Sequence, residues 1–561
     1  MCIFVLYKML QSAILPHDMA KSTSQFTSDE KKILVKYFSS ITSDTFCLIN
    51  LPEVVKGTLF SRYSRTAKSV RRLFLDEFYN GEIKDLFKND EKNISGVSVE
   101  KAEDFYERIL VGYGDDSVAE LGGVHIALEN ISNIAVKLVE DARIGISPLE
   151  KSSRYVFFDK KVNDSYLFYR DEKIMSSKFA KEYERVMVLL FDTYTLVVRE
   201  IYNGLIAEGK PETVSEIAFK ASCRAKACDV ARYLLPMSTL TNVGIYGNGR
   251  AFEYMLIKLI SSPYKEVQEL SESMNTELRK VIPAFVKRSE NERGVKYVKY
   301  LNDTSTLVQR YLSTKVRVAK KAKKTENEVR IVSWDKHAED KILTALLFSQ
   351  GTDSIERLQQ KVSKFSDSKR EKLFKALAAL RQNRHHKYQR AFENVHITFE
   401  LTTDLGAYRD VMRHRMMTQE RQYYTTDLGY TVPEELHAFP QLKKSYISAL
   451  EQAHVLFKKM QKKMPFEAQY VVPFAYRIRY YFHMSLREAV HLSELRSIPQ
   501  GHFSYRKIAQ EIAKQTIKKY PLLGKYLFKF VDYKEYRLER LEAFERVAKK
   551  AQSLGMKAFE E

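Results

Sequence analysis

The stretch VHITFELTTDLGAYRDVMRHR, residues 395–415, decides the fold, because a related stretch stands earlier in the same chain at 124–144. One constant offset of 271 residues aligns Val124-His125-Ile126 with Val395-His396-Ile397, Glu129 with Glu400, and Ser147 with Thr418. Self-similarity at a fixed offset is the signature of an internal repeat. We therefore interpret the chain as two diverged copies of one unit.

Matches further downstream keep the same order along the chain at shorter offsets. At 237 residues, Tyr233-Leu234-Leu235-Pro236 corresponds to Tyr470-Val471-Val472-Pro473 and Arg250 to Arg487, and at 242 residues 267–270 corresponds to 509–512. Because the order is kept, duplication explains these matches better than chance does. The change from 271 to 237 predicts about 34 extra residues in the first copy, within 158–215.

The periodicity of apolar residues predicts an α+β fold. Helical spacing covers 177–206 and 252–281, and short alternating or β-branched runs predict strands at 124–128, 154–158, 330–334 and 395–401. Each copy is expected to form a mixed or antiparallel sheet with packed long helices. The predicted boundaries are an N-terminal tail (1–28), a first unit (29–318), a basic linker (319–329) and a second unit (330–561).

Composition narrows the function classes without selecting one. The net charge of +21 attracts anions, which include nucleotides, nucleic acid and acidic membranes, although a basic surface of solvated lysines fits equally well. Four scattered cysteines make no disulfide framework, and no zinc-like Cys or His spacing predicts a metal. No apolar run is long enough for a membrane span, so a cytoplasmic protein is expected.

Several polar residues fall where they could carry chemistry. Arginine offers a planar fork that matches phosphate oxygens, and glycine-rich junctions let a backbone approach a ligand. Each of these residues also fits a plain structural role: a solvated triplet, a helix cap or turn, or an ion pair with Glu488 or Glu494. The candidates are Arg413-His414-Arg415, Glu150, Ser152, Arg154, Arg232, Asn248, Arg487 and Arg496.

These residues resemble the pattern of the flavin-dependent thymidylate synthases (ThyX), which carry the signature RHRxxSxxxxSxRY. Two copies of the pattern cover 95–290 and 380–520, and their losses are complementary. The second copy keeps Arg413-His414-Arg415 and has Thr418 in the serine position, but lacks the SxRY ending. The first copy keeps Glu150, Ser152, Arg154 and Tyr155, whereas its RHR position reads Ala142-Arg143-Ile144.

The resemblance implies a reaction and a set of roles. It implies reductive methylation of dUMP, or of a related uracil nucleotide, with FAD as cofactor and methylenetetrahydrofolate and NADPH as co-substrates. It also implies a composite site assembled from the two halves, in a homodimer that imitates the family's homotetramer. The implied roles are FAD binding by Arg413, His414, Arg415 and Asn248, substrate binding by Glu150, Ser152, Arg154, Arg232 and Arg487, and polarisation of the uracil by Arg496.

Two other functions stay open at this point. A diverged, non-catalytic protein could reuse the cleft to bind a nucleotide or nucleic acid, and the charge of +21 favours this reading. A third possibility, flavin- and folate-dependent methylation of uracil within RNA, would combine the methyltransferase activity with nucleic-acid binding.

Overall fold

The computed structural model describes residues 26–81, 118–312 and 328–556, which form an α+β fold. The α-helices are α1 (Ser28–Tyr37), α2 (Glu53–Tyr63), α3 (Val70–Leu73), α4 (Asn133–Glu140), α5 (Glu172–Met175), α6 (Ala180–Ala207), α7 (Glu216–Ala231), α8 (Gly249–Ile260), α9 (Lys265–Arg279), α10 (Pro283–Val286), α11 (Glu292–Leu312), α12 (Ala338–Phe348), α13 (Ile355–Ser363), α14 (Asp367–Leu380), α15 (Leu405–Val411), α16 (Pro440–Gln461), α17 (Leu486–Arg496), α18 (Phe503–Lys519), α19 (Pro521–Leu527) and α20 (Leu541–Ser553). The strands are β1 (Gly123–Ser132), β2 (Ile146–Glu150), β3 (Lys161–Val162), β4 (Ser165–Tyr166), β5 (Leu240–Asn248), β6 (Glu328–Trp334), β7 (His396–Asp404), β8 (Met417–Arg421) and β9 (Arg477–Ser485).

The two repeats share one order of elements. The first runs β1, α4, β2, β5, α8, and the second runs β7, α15, β8, β9, α17, with further elements before β5 and before β9. The strand orders also agree, β1-β5-β2 in the first repeat and β7-β9-β8 in the second, where β6 is an added edge strand. This agreement confirms the internal repeat read from the sequence.

The first repeat is the longer one between its second and third equivalent strands. Its β2–β5 connection (151–239) is 34 residues longer than the β8–β9 connection of the second repeat (422–476), which agrees with the predicted number. The first connection holds the β3–β4 hairpin, α5, α6, α7 and a 3₁₀ turn, and the second holds α16 and two 3₁₀ turns. The limits of 158–215 within this connection stay a prediction.

The same kind of N-cap hydrogen bond occurs at strand-to-helix junctions in both repeats. The last residue of each strand is the N-cap of the next helix, and its side chain accepts a hydrogen bond from the backbone N–H three residues on. The four bonds are Ala135 N to Ser132 Oγ (3.1 Å), Ala251 N to Asn248 Oδ1 (2.8 Å), Ala407 N to Asp404 Oδ1 (2.7 Å) and Glu488 N to Ser485 Oγ (3.2 Å).

Asn248 offers a test of how much such an N-cap hydrogen bond contributes to stability. We expect Asn248→Ala to lower the free energy of unfolding by about 1 kcal/mol, because an N–H at the start of α8 loses its acceptor. Asn248→Ser, which keeps an oxygen at the cap, should recover most of the loss. Urea unfolding of both variants measures the difference, and equal stability of the alanine and serine variants would show that the cap contributes little.

The described residues pack as two compact units, each discontinuous in sequence. Among the described residues, the first draws on 26–81, 118–127, 144–148 and 244–312, and the second on 128–143, 149–243 and 328–556. In the first unit, buried side chains of α1 to α3, among them Leu34, Leu59 and Leu73, form one apolar core. These units describe packing, so the predicted repeat boundaries at 29–318 and 330–561 stay a prediction.

The second unit contains a four-stranded antiparallel sheet of order β6-β7-β9-β8. Its central pair runs in register from His396 opposite Ser485 to Asp404 opposite Arg477. Ile397, Phe399 and Leu401 alternate into the core, as the two-residue period of a strand requires. Because the pair is antiparallel, the starts of α15 and α17 lie at opposite ends of these two strands.

Some local predictions were wrong. Residues 154–158 form a turn and not a strand, because their side chains find separate partners: Arg154 pairs with Asp229, and Phe157 packs under Arg224. The helix predicted at 252–281 is two helices, α8 and α9, because Pro263 disfavours helical geometry before it. The predicted tail and linker lie almost wholly outside the described residues, except that 26–28 lead into α1 and 328–329 begin β6.

None of the helices in the described ranges combines the length and the apolar character that a membrane span requires. The three described cysteines, Cys47, Cys223 and Cys228, are free thiols.

Candidate functional site

Glu150, at the end of β2, lies at the centre of a buried charge cluster in the second unit. Lys137 Nζ is 3.0 Å from Glu150 Oε2, and Arg409 and Arg413 both donate to the same carboxylate. Glu140 adds a second carboxylate, which pairs with Lys137 and lies 3.4 Å from Arg413 Nε. Burial alone would raise the pKa of Glu150, but the three cations hold it well below its usual range.

Asp229, near the end of α7, is the second buried anion. Arg154 donates two parallel hydrogen bonds to it, Nε to Oδ1 at 2.9 Å and Nη2 to Oδ2 at 3.0 Å, and Arg540 donates a third at 2.7 Å. Such forked pairing is the strongest geometry available to a guanidinium. Although burial acts to raise it, the pKa of Asp229 is held well below its usual range by these arginines.

Asp410, in α15, is the third anion and is surrounded by arginines. Arg232 Nη1 lies 3.2 Å from its carboxylate, while Arg232 Nη2 donates to the Gly406 carbonyl at 2.9 Å. A Cβ on Gly406 would stand 3.3 Å from that nitrogen, so glycine is what lets the arginine approach. Arg413, Arg154 and Arg496 also act on Asp410, and against the effect of burial they lower its pKa.

Positive charge exceeds negative charge in this cluster. Seven cations pair with or act on four carboxylates, and two further buried carboxylates act on the same cations, Asp404 on Arg232 and Glu488 on Arg496, so the cations outnumber the carboxylates by one. The cations are Lys137, Arg154, Arg232, Arg409, Arg413, Arg496 and Arg540, and the four carboxylates are Glu140, Glu150, Asp229 and Asp410. Uncompensated charge away from water is unfavourable, so an anionic ligand would stabilise the cluster.

Arg496, the last residue of α17, is connected to a chain of side chains. Its Nε donates to His414 Nε2 at 3.0 Å, and His414 Nδ1 lies 2.6 Å from Glu488 Oε1. The Arg496 guanidinium is also 5.7 Å from the centre of the Tyr505 ring, whose hydroxyl accepts from Arg154 Nη1 at 2.9 Å. Tyr505 thus lies between an arginine of the first repeat and an arginine of the second.

Three donor groups in the described part of the chain, His414, Glu488 and His491, lie within 4.8 Å of one another and could in principle hold a metal. The surroundings do not fit a cation. Arg496 donates to His414, and Lys387 Nζ lies 3.1 Å from His491 Nε2, so two positive charges flank the group. Because Arg496 donates to Nε2, the proton of neutral His414 lies on Nδ1, the nitrogen that faces Glu488.

The two arginines of the RHR triplet are accessible from solvent, unlike its histidine. Arg415 is exposed, and the Arg413 side chain is 36% exposed, so each can meet an anionic group from solvent. His414 is different: its side chain is 3% exposed and both ring nitrogens are engaged within the protein. A direct contact of His414 with FAD would require one of these bonds to break.

The remaining predicted residues have structural partners. Ser152 Oγ accepts from Arg154 N at 3.2 Å, in the turn that follows β2. Arg487 forms an ion pair, but with Glu393 at 2.8 Å instead of Glu488 or Glu494, and it also donates to the Tyr388 carbonyl. Asn248 caps α8 in the first unit. Glu150, Arg154 and Arg232 are buried in the charge cluster.

Sequence reasoning missed six members of the cluster: Lys137, Glu140, Asp229, Arg409, Asp410 and Arg540. A usable signal was present for some of them. Lys137 stands in the apolar helix NIAVKLVE, and Asp229 stands in ACDVARYLLP. A charged residue inside an apolar helix is rarely left unpaired, so each of these predicts a buried ion pair, although not its partner.

Comparison with known proteins agrees with the repeat. The family described as thymidylate synthase complementing protein matches two segments, residues 64–284 and 330–522. A UPF0159 protein of Chlamydia muridarum is 41% identical over 532 residues, covering 93% of this chain and 99% of that protein. A UPF0159 protein of Chlamydia pneumoniae is 40% identical, with 93% and 98% covered, and one of Thermoplasma acidophilum is 32% identical, with 87% and 97% covered.

Proposed function

Because this chain belongs to the thymidylate synthase complementing protein family, we propose that it is a flavin-dependent methyltransferase acting on a uracil nucleotide. The proposed reaction is reductive methylation of dUMP, with methylenetetrahydrofolate and NADPH as co-substrates. Family membership by itself relates the chain to thymidylate synthase function. The substrate, the cofactor and the co-substrates are the proposal.

The observation that carries the proposal is that cations outnumber carboxylates in the buried cluster around Glu150, Asp229 and Asp410. Arg154 and Arg232 come from the first repeat, and Arg413 and Arg496 from the second, so one chain assembles a cationic site from both copies. A nucleotide phosphate carries up to two negative charges and offers oxygens that match guanidinium groups. The surplus therefore supports a mononucleotide as ligand.

Arg496 is the residue we assign to the chemistry. As C5 of the uracil becomes nucleophilic, negative charge builds on the ring, and a guanidinium beside N3 and O4 stabilises it. Burial lowers the pKa of Arg496, and Arg413 and Arg154 add to the effect, while Asp410 opposes it. Arginine still remains cationic in proteins, so the group acts by charge and hydrogen bonding and not by proton transfer.

Arg413 and Arg415 are the residues that would hold FAD, through its diphosphate. The chemistry that bound reduced flavin supplies is hydride donation and transfer of the one-carbon unit. The protein's own contribution is to bind the nucleotide, orient its base and shield the site from water. We further propose a cytoplasmic homodimer, and the oligomeric state stays a prediction.

Binding of the nucleotide tests the proposal directly. We expect dUMP to raise the melting temperature of the flavin-loaded protein, with a stabilisation of about 2.7 kcal/mol at a concentration of 100 times Kd. Deoxyuridine, which lacks the phosphate, should stabilise the protein far less, because the cationic surplus then stays uncompensated.

Two controls make the binding result decisive. Arg154→Lys, which keeps a cation beside Asp229 but not the planar fork, should weaken dUMP binding, whereas Arg390→Ala, which removes an arginine with an 88% exposed side chain, should not. A colourless protein that takes up no FAD on titration would refute the flavin assignment. Equal effects of dUMP and deoxyuridine would refute the phosphate site. Rescue of a thymidine-requiring strain would establish the overall reaction.

The net charge of +21 favours a second candidate, a non-catalytic protein that binds nucleic acid at the same cleft. Phosphate neutralisation releases counterions, so this candidate requires RNA or DNA affinity that falls steeply with salt. Loss of RNA affinity in Arg413→Ala together with absence of turnover would favour it over the enzyme.

A further inference from the structure

We propose that Glu488 is a positioning residue for Arg496, which it holds in place through His414. Glu488 lies in the first turn of α17 and Arg496 at its last position, eight residues further on. At 1.5 Å per residue the two lie about 12 Å apart along the helix axis, too far for direct contact. His414, in the turn after α15, bridges them. The role of Arg496 rests on the proposed function, whereas the bridge itself does not.

The direction of the hydrogen bonds follows from the chemistry of the donors. Arginine has only N–H donors, so the bond from Arg496 Nε to His414 Nε2 requires a lone pair on Nε2. Burial lowers the pKa of His414, and Arg496 and Lys387 lower it further, so the ring is neutral. A neutral imidazole carries one proton, which therefore lies on Nδ1 and is donated to Glu488 at 2.6 Å.

The Glu488 carboxylate thus selects the tautomer of His414 that can accept from Arg496. If Nδ1 lost its proton and became an acceptor, the proton would lie on Nε2 and face the Arg496 N–H at 3.0 Å. Two donors cannot share that bond, so the guanidinium would have to turn away. Second-layer groups fix the tautomer of ligating histidines in the same way in metal sites.

Protonation of Glu488 would cause that change. The charged or titratable groups that act on it are His414, His491, Lys387, Arg487 and Arg496. Burial raises the pKa of Glu488 to about 7, against the opposing effect of His491, Lys387, Arg487 and Arg496. Below that pH the carboxyl O–H, a far stronger donor than an amide N–H, donates to Nδ1; the proton of His414 then lies on Nε2, and Arg496 loses its acceptor. Turnover is therefore expected to fall as pH falls through about 7.

The matched pair Glu488→Gln and Glu488→Ala tests the role in the full-length, flavin-loaded protein. Glutamine keeps an acceptor oxygen for Nδ1–H but cannot ionise, so its kcat should stay within about threefold of wild type above pH 8 and lose the acid limb near 7. Alanine removes the acceptor, so kcat should fall about 10- to 100-fold, with little change in KM for the nucleotide or in FAD content. Glu371→Gln, an exposed control that pairs with Lys525, should retain the wild-type pH profile.

A spectroscopic measurement separates this proposal from the proposed reaction. Long-range ¹H–¹⁵N spectra of histidine-labelled protein, with His414 identified by its loss in His414→Asn, report which ring nitrogen carries the proton. We expect the Nδ1–H tautomer at pH 8.5 in wild type and in Glu488→Gln, and a change of tautomer in wild type alone on acidification to pH 6.

The outcomes of the two measurements are distinguishable. If the protein turns over no dUMP but shows this tautomer pattern, the proposed function fails and the bridge stands. If His414 is an Nε2–H tautomer at pH 8.5, or if Glu488→Ala keeps wild-type kcat and the same acid limb, the positioning role is overturned.

Discussion

Replacing Arg496 by alanine is expected to lower kcat by about 100- to 1,000-fold, the loss seen when one donor to a developing anion is removed. FAD content and the melting temperature should stay close to wild type. The Arg496 side chain is only partly buried, it donates a hydrogen bond to His414 rather than to a carboxylate, and the like-charged Arg413 and Arg154 lie nearby. Its removal therefore leaves no buried carboxylate unpaired.

The measurement is a steady-state rate assay with a parallel flavin spectrum. Arg496→Lys should recover only part of the rate, because an ammonium restores the charge but not the planar fork. Arg390→Ala is the control for loss of a surface arginine and should match wild type. An Arg496→Ala enzyme that stays within twofold of wild type would show that the catalytic role implied by the family resemblance does not apply to this chain.

Replacing Glu150 by alanine is expected to have the largest effect on stability, a loss of about 3–5 kcal/mol. The substitution leaves Lys137 and Arg409 buried without their shared carboxylate, since the side chain of each is less than one-tenth exposed. Because the pKa of Glu150 is held well below its usual range, its stabilising contribution is present at neutral pH and is lost only in strong acid. Urea unfolding at pH 7 measures the loss.

The same substitution separates two roles for Glu150. The family resemblance implies that Glu150 contacts the nucleotide. If it does, Glu150→Ala should raise KM and leave stability unchanged. The buried ion pairs instead predict a large drop in stability. Glu129→Ala, on an exposed position of β1, is the matched control and should change neither quantity. A stable Glu150→Ala protein with a KM raised tenfold would favour the substrate contact.

The architecture could be read from the sequence because a repeat is visible without any partner information. The offset of 271 aligned 124–128 with 395–399, and these became β1 and β7, equivalent strands of the two sheets. The offset of 237 aligned Arg250 with Arg487, and both stand in the first turn of equivalent helices, α8 and α17. A repeat can be detected from the order of residues along the chain alone.

The site was harder to read, because its residues meet through space and not along the chain. Arg154 pairs with Asp229, 75 residues away, and Arg409 reaches Glu150 across 259 residues. The strand predicted at 154–158 failed for the same reason, since the side chain of Arg154 is committed to a distant carboxylate. His414, expected to touch a cofactor, is buried between Glu488 and Arg496.

By itself the sequence determined that the chain is a doubled α+β unit with a basic surface, and that the two copies have lost different parts of one pattern. Those properties depend on residue identity and order. Only the tertiary structure decided that the parts kept by each copy meet in one cluster, with seven cations around four carboxylates. The physical reason is that charge balance and hydrogen-bond direction are set by distances of 3 to 4 Å between side chains, and those distances exist only once the chain has folded.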